Sequence, residues 1–189
     1  MTYDPINPPF ILSFGDMPKK ELNCYLEWFC GVIPERLDEL TKNVRETRGY
    51  EGWQPDGSLG SLDLLGRWFA EQVAVRPRSE NEMKFLEEKM KFPIDLPREE
   101  LTTLTLSLAM DVGMYLSRVF MKNNAQLKWE QPLGSKKFID YGQPVLVSFK
   151  PGPFNPVRMV VTLAYGLVGG RKTAKGLRDI YETWSNLAV

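Results

Sequence analysis

Apolar residues recur along most of this chain at helical spacing, three and four apart, and give way to strand-like runs only after residue 125. Leu22, Tyr25, Leu26 and Phe29 follow that spacing and predict a first helix opening near Pro18, with Asp16 as its candidate N-cap and Gly31 as its stop. Pro34 then opens a second helix, with Leu37, Leu40 and Val44 on one face, running to about Gly49. A Gly- and Pro-rich loop, 49–60, leads to Ser61, a candidate cap for a helix striped by Leu62, Leu65, Trp68, Phe69 and Val73. Past the break at Arg76-Pro77-Arg78, Ser79 precedes a polar helix expected to end before Pro93. Glu99 and Glu100 fit the first turn of the longest helix, where carboxylates favour the positive end of the dipole. From Leu101 to Phe120 that helix is apolar nearly all round, the mark of an element buried on several faces. Gly113 in its middle costs about 1 kcal/mol of helix propensity relative to Ala, so another backbone is expected to cross there.

Residues 8–14 read as an edge strand or as an arm packed on the core. Beyond Asn123-Asn124, the segments 126–131, 136–140 and 144–149 suggest a three-stranded antiparallel meander. Asn155-Pro156 is an N-cap followed by a first-turn proline, opening a helix to Leu167, although the β-branched content also fits a strand. Gly169-Gly170 stops it, and Thr173 is the candidate cap of a last helix carrying Leu177, Ile180, Tyr181, Trp184 and Leu187. The expected fold is therefore a helix-rich α+β single domain over residues 1–189, with a small antiparallel sheet near 126–149. Its expected core includes Leu108, Val112, Leu116, Val119, Trp68, Phe69, Val145 and Val147.

Composition adds exclusions. With 43% apolar and 25% charged residues the chain is too hydrophobic for disorder. No basic region precedes the short apolar stretch near the N-terminus, and no uninterrupted apolar run approaches the roughly 18 residues of a membrane span. A soluble cytoplasmic protein without a membrane partner is expected, with Cys24 and Cys30 as reduced core thiols. The chain has no histidine, which removes Ser-His-Asp and Cys-His nucleophiles, HExxH zinc sites and histidine phosphorelays. No metal, no cofactor and no catalytic residue is expected. The net charge is zero, yet residues 1–100 hold 19 acids and 13 bases, and residues 101–189 hold 5 acids and 11 bases. Two mutually attracting faces of one domain account for that division more simply than a dense basic tract for nucleic acid would.

Three features bear on chemistry. The string GLVGGRKT (166–173) approaches a phosphate-binding loop, but Arg171 stands where glycine must precede the lysine, and no βα unit follows to hold magnesium. Arg171, Lys172, Lys175 and Arg178 of the same segment are candidate binding residues for an anion or an acidic surface, and the bases between Lys150 and Arg178 are not interrupted by any acid. Aromatic residues are not interleaved with these bases at stacking positions, which disfavours a nucleic-acid partner. Asp111, inside the apolar helix, needs a cation such as Arg118 or Arg158; otherwise it would be a catalytic acid, and an enzyme or nucleotide binder using Asp111 and 166–175 is the alternative function. Trp53, in its Gly-rich loop, is a loop anchor or an exposed interface anchor.

The stretch DVGMYLSRVFMKNNAQLKWEQPLGSKKFIDYGQPVLVSFKPGPFNP (111–156) resembles a layout found in small bacterial proteins that include immunity proteins of polymorphic or contact-dependent toxins. Its parts are a glycine-containing apolar helix, a Lys-Trp strand, a Gln-Pro strand and an Asn-Pro helix start. Where that layout carries Gly-Glu, this chain has Ser117-Arg118, so no role of the glutamate passes to it. The resemblance implies a non-enzymatic protein whose partner is another protein, such as a cognate toxin domain, with a regulatory or scaffold domain as the further alternative.

Overall fold

In a computed structural model, which describes residues 3–90, 92 and 95–189, one apolar helix forms the axis of the domain and four other helices pack against it. The described residues form α1 (Lys19–Glu46), α2 (Leu59–Gln72), β1 (Val75–Pro77), α3 (Glu80–Lys89), β2 (Glu99–Leu101), α4 (Thr103–Asn123), β3 (Lys128–Glu130), β4 (Val145–Val147), α5 (Pro156–Val168) and α6 (Gly176–Ser185). This is a helix-rich single domain with small antiparallel sheets.

The axis is α4. It packs against α1, α2, α5 and α6, and Leu108, Val112, Leu116 and Val119 on it are buried with Trp68, Phe69 and Val145. Val147 is only half-buried, and Leu104 and Leu106 in the first turn of α4 face solvent. Among the described residues α4 is also the one helix long and apolar enough to cross a membrane, and 72% of its apolar window is buried inside the protein. Gly113 does lie at a crossing: a β-carbon built there would sit 2.8 Å from the Cα of Val157 in α5. The small residue lets α4 and α5 approach closely enough for Phe120, Phe154 and Phe149 to form an aromatic cluster.

Several boundaries differ from the sequence reading. The two expected N-terminal helices are one, because Gly31 and Pro34 both lie on its outer face. The carbonyl of Cys30, which loses its partner to Pro34, therefore faces water and the helix continues. Pro18, rather than Asp16, holds the N-cap position of α1, without a side-chain cap. Ser58, rather than Ser61, caps α2 by accepting from the Ser61 amide, and Lys175, rather than Thr173, precedes α6. Glu99 and Glu100 lie in β2, not in a helix; Thr102 caps α4 by accepting from the Thr105 amide. β2 pairs antiparallel with β1, Val75 opposite Leu101, as a two-stranded ribbon, and α3 lies between them in the chain. The polar helix expected after Ser79 is α3, and Ser79 caps it in a reciprocal capping box with Glu82; Pro93 itself lies outside the described residues.

The expected three-stranded meander has two strands, β3 and β4, with Trp129 opposite Leu146. Residues 136–140 form turns instead, because Asp140 is drawn inward to an ion pair with Arg158 and the chain cannot run straight along β3. Leu146 is flanked by Phe154, and Phe149 by Ala188, through single antiparallel bridges. The arm before α1 has no regular structure. Phe10 and Phe14 pack their rings edge-on against Tyr25 of α1.

Candidate functional site

The basic segment folds as a tight connection between α5 and α6. The amides of Arg171 and Lys172 both donate to the Gly166 carbonyl, and the Gly170 amide donates to Leu167. Those are the N–H groups a phosphate loop needs free, so the chain spends them on closing the C-terminus of α5. Arg171, Lys172 and Lys175 are exposed, while Arg178 is held by Asp63 of α2 (2.6 Å) and by Glu182 (2.7 Å). An open, mixed-charge cleft of about 910 Å3 lies beside Arg178, between α2 and α6. Three of the four predicted bases thus lie in one connection, and the fourth, Arg178 on α6, is committed to holding α2 and α6 together.

Asp111 is fully buried, and its partner is Arg36 of α1 rather than Arg118 or Arg158. Arg36 approaches it with two parallel bonds, Nε to Oδ1 at 3.0 Å and Nη2 to Oδ2 at 2.8 Å. The Tyr3 hydroxyl donates to Oδ2 at 2.6 Å, and Arg36 also donates to the Asp4 carbonyl. Burial pushes the Asp111 carboxyl up from its ordinary value, and the hydrogen bonds from Arg36 and Tyr3 pull it back. Ser107, one turn earlier, accepts from the Ile6 amide. The cluster is a clamp that pins the arm across α1 and α4, with no carboxylate oxygen left for a substrate.

Trp53 is 1% exposed, donates its indole N–H to the Ser61 carbonyl and meets Tyr115 edge-on; it anchors its loop from inside and presents no surface for a partner. Cys24 is exposed, not a core residue, and Cys30 is half-buried with its thiol pushed up by burial. No cluster of three metal-ligating side chains occurs among the described residues.

What sequence reasoning missed lies where the arm meets the loop 131–144. Lys136 donates to the Gly15 carbonyl, and Phe14 packs against Gly142, so the two segments run side by side. Below them is a cavity of about 170 Å3, lined by Leu12, Phe14, Tyr25, Phe29, Met110 and Val157, with Gln143 and Asn155 on one wall. Ile11, next to the lining residue Leu12, is 87% exposed, and Ile139, whose carbonyl accepts from the Gln143 amide, is 67% exposed, with Leu12 and Phe138 also open to solvent. The sequence marks only the arm, by the apolar Ile11-Leu12 after two prolines, and not the cavity beneath it. A second apolar surface is on α3, which buries no residue and exposes Phe85, Met90 and, beyond its end, Phe92.

No family model, curated protein or solved structure matches the chain.

Proposed function

We propose that the chain is a cytoplasmic, non-enzymatic protein that binds another protein, acting as an immunity factor that neutralises a cognate toxin domain. The observation that carries this reading is the apolar rim of Ile11, Leu12, Phe138 and Ile139 around an aromatic-lined cavity. An anchor pocket with a water-excluding surround is how protein interfaces concentrate their binding energy. The clamp of Tyr3, Arg36 and Asp111 holds the arm half of that rim in place before a partner arrives, which lowers the ordering cost of association. The layout of residues 111–156 supports the immunity reading in particular.

The test uses the domain encoded beside this chain in its host. Mixed with the purified protein, that domain is expected to form a complex with Kd near ~1 nM, about −12 kcal/mol, and to lose its toxicity. A protein that neither binds the domain nor protects cells from it overturns the reading.

A further inference from the structure

We propose that the cavity beneath the arm receives an aromatic or branched aliphatic side chain from an acidic segment of the partner protein. This inference rests on the protein-binding reading and names the chemistry of the segment bound.

The volume limits the anchor. At about 170 Å3 the cavity is close to an engineered apolar cavity of roughly 150 Å3 that takes up benzene, so it holds one ring or one branched chain. Its walls are mainly apolar, with the Tyr25 hydroxyl and the side-chain amides of Gln143 and Asn155 as their polar groups. The Asn155 amide donates to Asp140 at 2.9 Å and to Gln143 at 3.0 Å, and its oxygen accepts from the Arg158 amide. The Gln143 amide donates to the Ile139 carbonyl. Asn155 is fully engaged and Gln143 partly so, which leaves an entering polar group few partners for the water it gives up, whereas an apolar group loses nothing against the Leu12, Phe14, Phe29, Met110 and Val157 side chains. A free metabolite of that size would fill the cavity and leave the rim bare. A polypeptide covers both.

Charge selects the segment. Lys19 and Lys20 in the first turn of α1, and Lys136 and Lys137 in the loop beside the arm, are exposed, and Lys136 reaches the Gly15 carbonyl of the arm. Asp16, whose carboxylate accepts from the Ser13 hydroxyl at 2.6 Å, and Glu21 in the first turn of α1 offset two of these four positive charges and leave the edge basic. Those lysines share the edge with the N-terminus of α1, which carries no side-chain cap and so presents positive dipole charge to the same surface. Acidic residues flanking the anchor complement both features and speed the encounter.

The probe is a pentapeptide with tryptophan at its centre and acidic residues on both sides, followed through the methyl signals of Leu12, Met110 and Val157 in the full-length protein. Saturable shifts at these methyls are expected, weakened about tenfold or more when alanine replaces the tryptophan and similarly when lysines replace the acids. Met110→Trp fills the cavity and should abolish the shifts. Ile139→Glu, at an exposed position that does not threaten folding, should weaken binding by placing an acid on the rim. Equal binding of the alanine peptide, indifference to Ile139→Glu, or no shift at about 1 mM peptide overturns the proposal. Free indole binding as tightly as the peptide also overturns it, in favour of a small-molecule cavity. If the toxin-type domain binds the Ile139→Glu protein undiminished while the peptide fails, this pocket assignment falls and the immunity reading stands. If the peptide binds and the domain does not, the reverse holds.

Discussion

Arg36 keeps only 8% of its side chain exposed, so its charge depends on Asp111. Asp111→Asn preserves shape but leaves that guanidinium without a counter-charge, and breaking a buried pair from one side costs about 3–5 kcal/mol. Urea unfolding measures it; a loss under about 1 kcal/mol would mean that Tyr3 and the Asp4 carbonyl suffice to hold Arg36. Ser148 presents the opposite case, a residue that strains the chain. It sits at φ 81° just after β4, in the left-handed region, while its carbonyl accepts from the Val189 amide and Lys150 donates to Leu187. Those bonds fix the turn and oblige Ser148 to adopt it. Ser148→Gly relieves a penalty of roughly 1–2 kcal/mol against glycine's larger unfolded-state entropy, so a net gain of about 0.5–1 kcal/mol is expected in thermal unfolding. A loss would show that the Ser148 side chain contributes more than its backbone conformation costs.

At the scale of elements, α3 depends on its ends because it buries nothing. Glu82 accepts from the Ser79 amide and from Arg76, and those bonds, Arg76 first, hold its carboxyl down at about 2 from an ordinary 4.5. A depressed carboxyl favours the folded helix above the ordinary value, and that contribution is lost as pH falls from 4.5 towards about 2. Amide protection across α3 should therefore fall over this window while α4 stays protected; uniform protection down to pH 2 would contradict the capping role. The helices themselves were largely legible, since Ser79, Thr102 and Asn155 carry cap chemistry within a few residues of each start. The continuity of α1 was also written in the chain. Leu22, Tyr25, Phe29, Arg36, Leu40 and Asn43 keep one helical phase straight across Pro34 and are all buried. Reading that phase as one helix would have placed Arg36 on the inner face as the partner of Asp111. What local pattern could not supply was pairing across distance, such as Val75 with Leu101, because the residues between decide whether those segments meet.

For the whole molecule, the α+β class and the central place of α4 follow from an apolar segment too broad for one buried face, whereas the cavity under the arm has no local signature. It arises because prolines keep the arm out of regular structure and Tyr3 pins its far end, leaving Leu12 and Phe14 to roof a gap between α1 and α4. The same dependence on α4 makes the stability of the domain testable with one substitution. Leu116 is 0% exposed near the middle of a helix that touches α1, α2, α5 and α6. A helix enclosed by four others has little room to shift and fill a deletion at a fully buried position. Leu116→Ala is expected to cost about 2–5 kcal/mol, the upper part of the range applying where a site fails to collapse. Because Trp53 and Trp68 lie in the same core, tryptophan fluorescence and helical circular dichroism should report one coincident transition, shifted together to lower urea. A cost under about 1 kcal/mol would remove α4 from the centre of the fold, and separated transitions would show that the helices around it unfold as independent units.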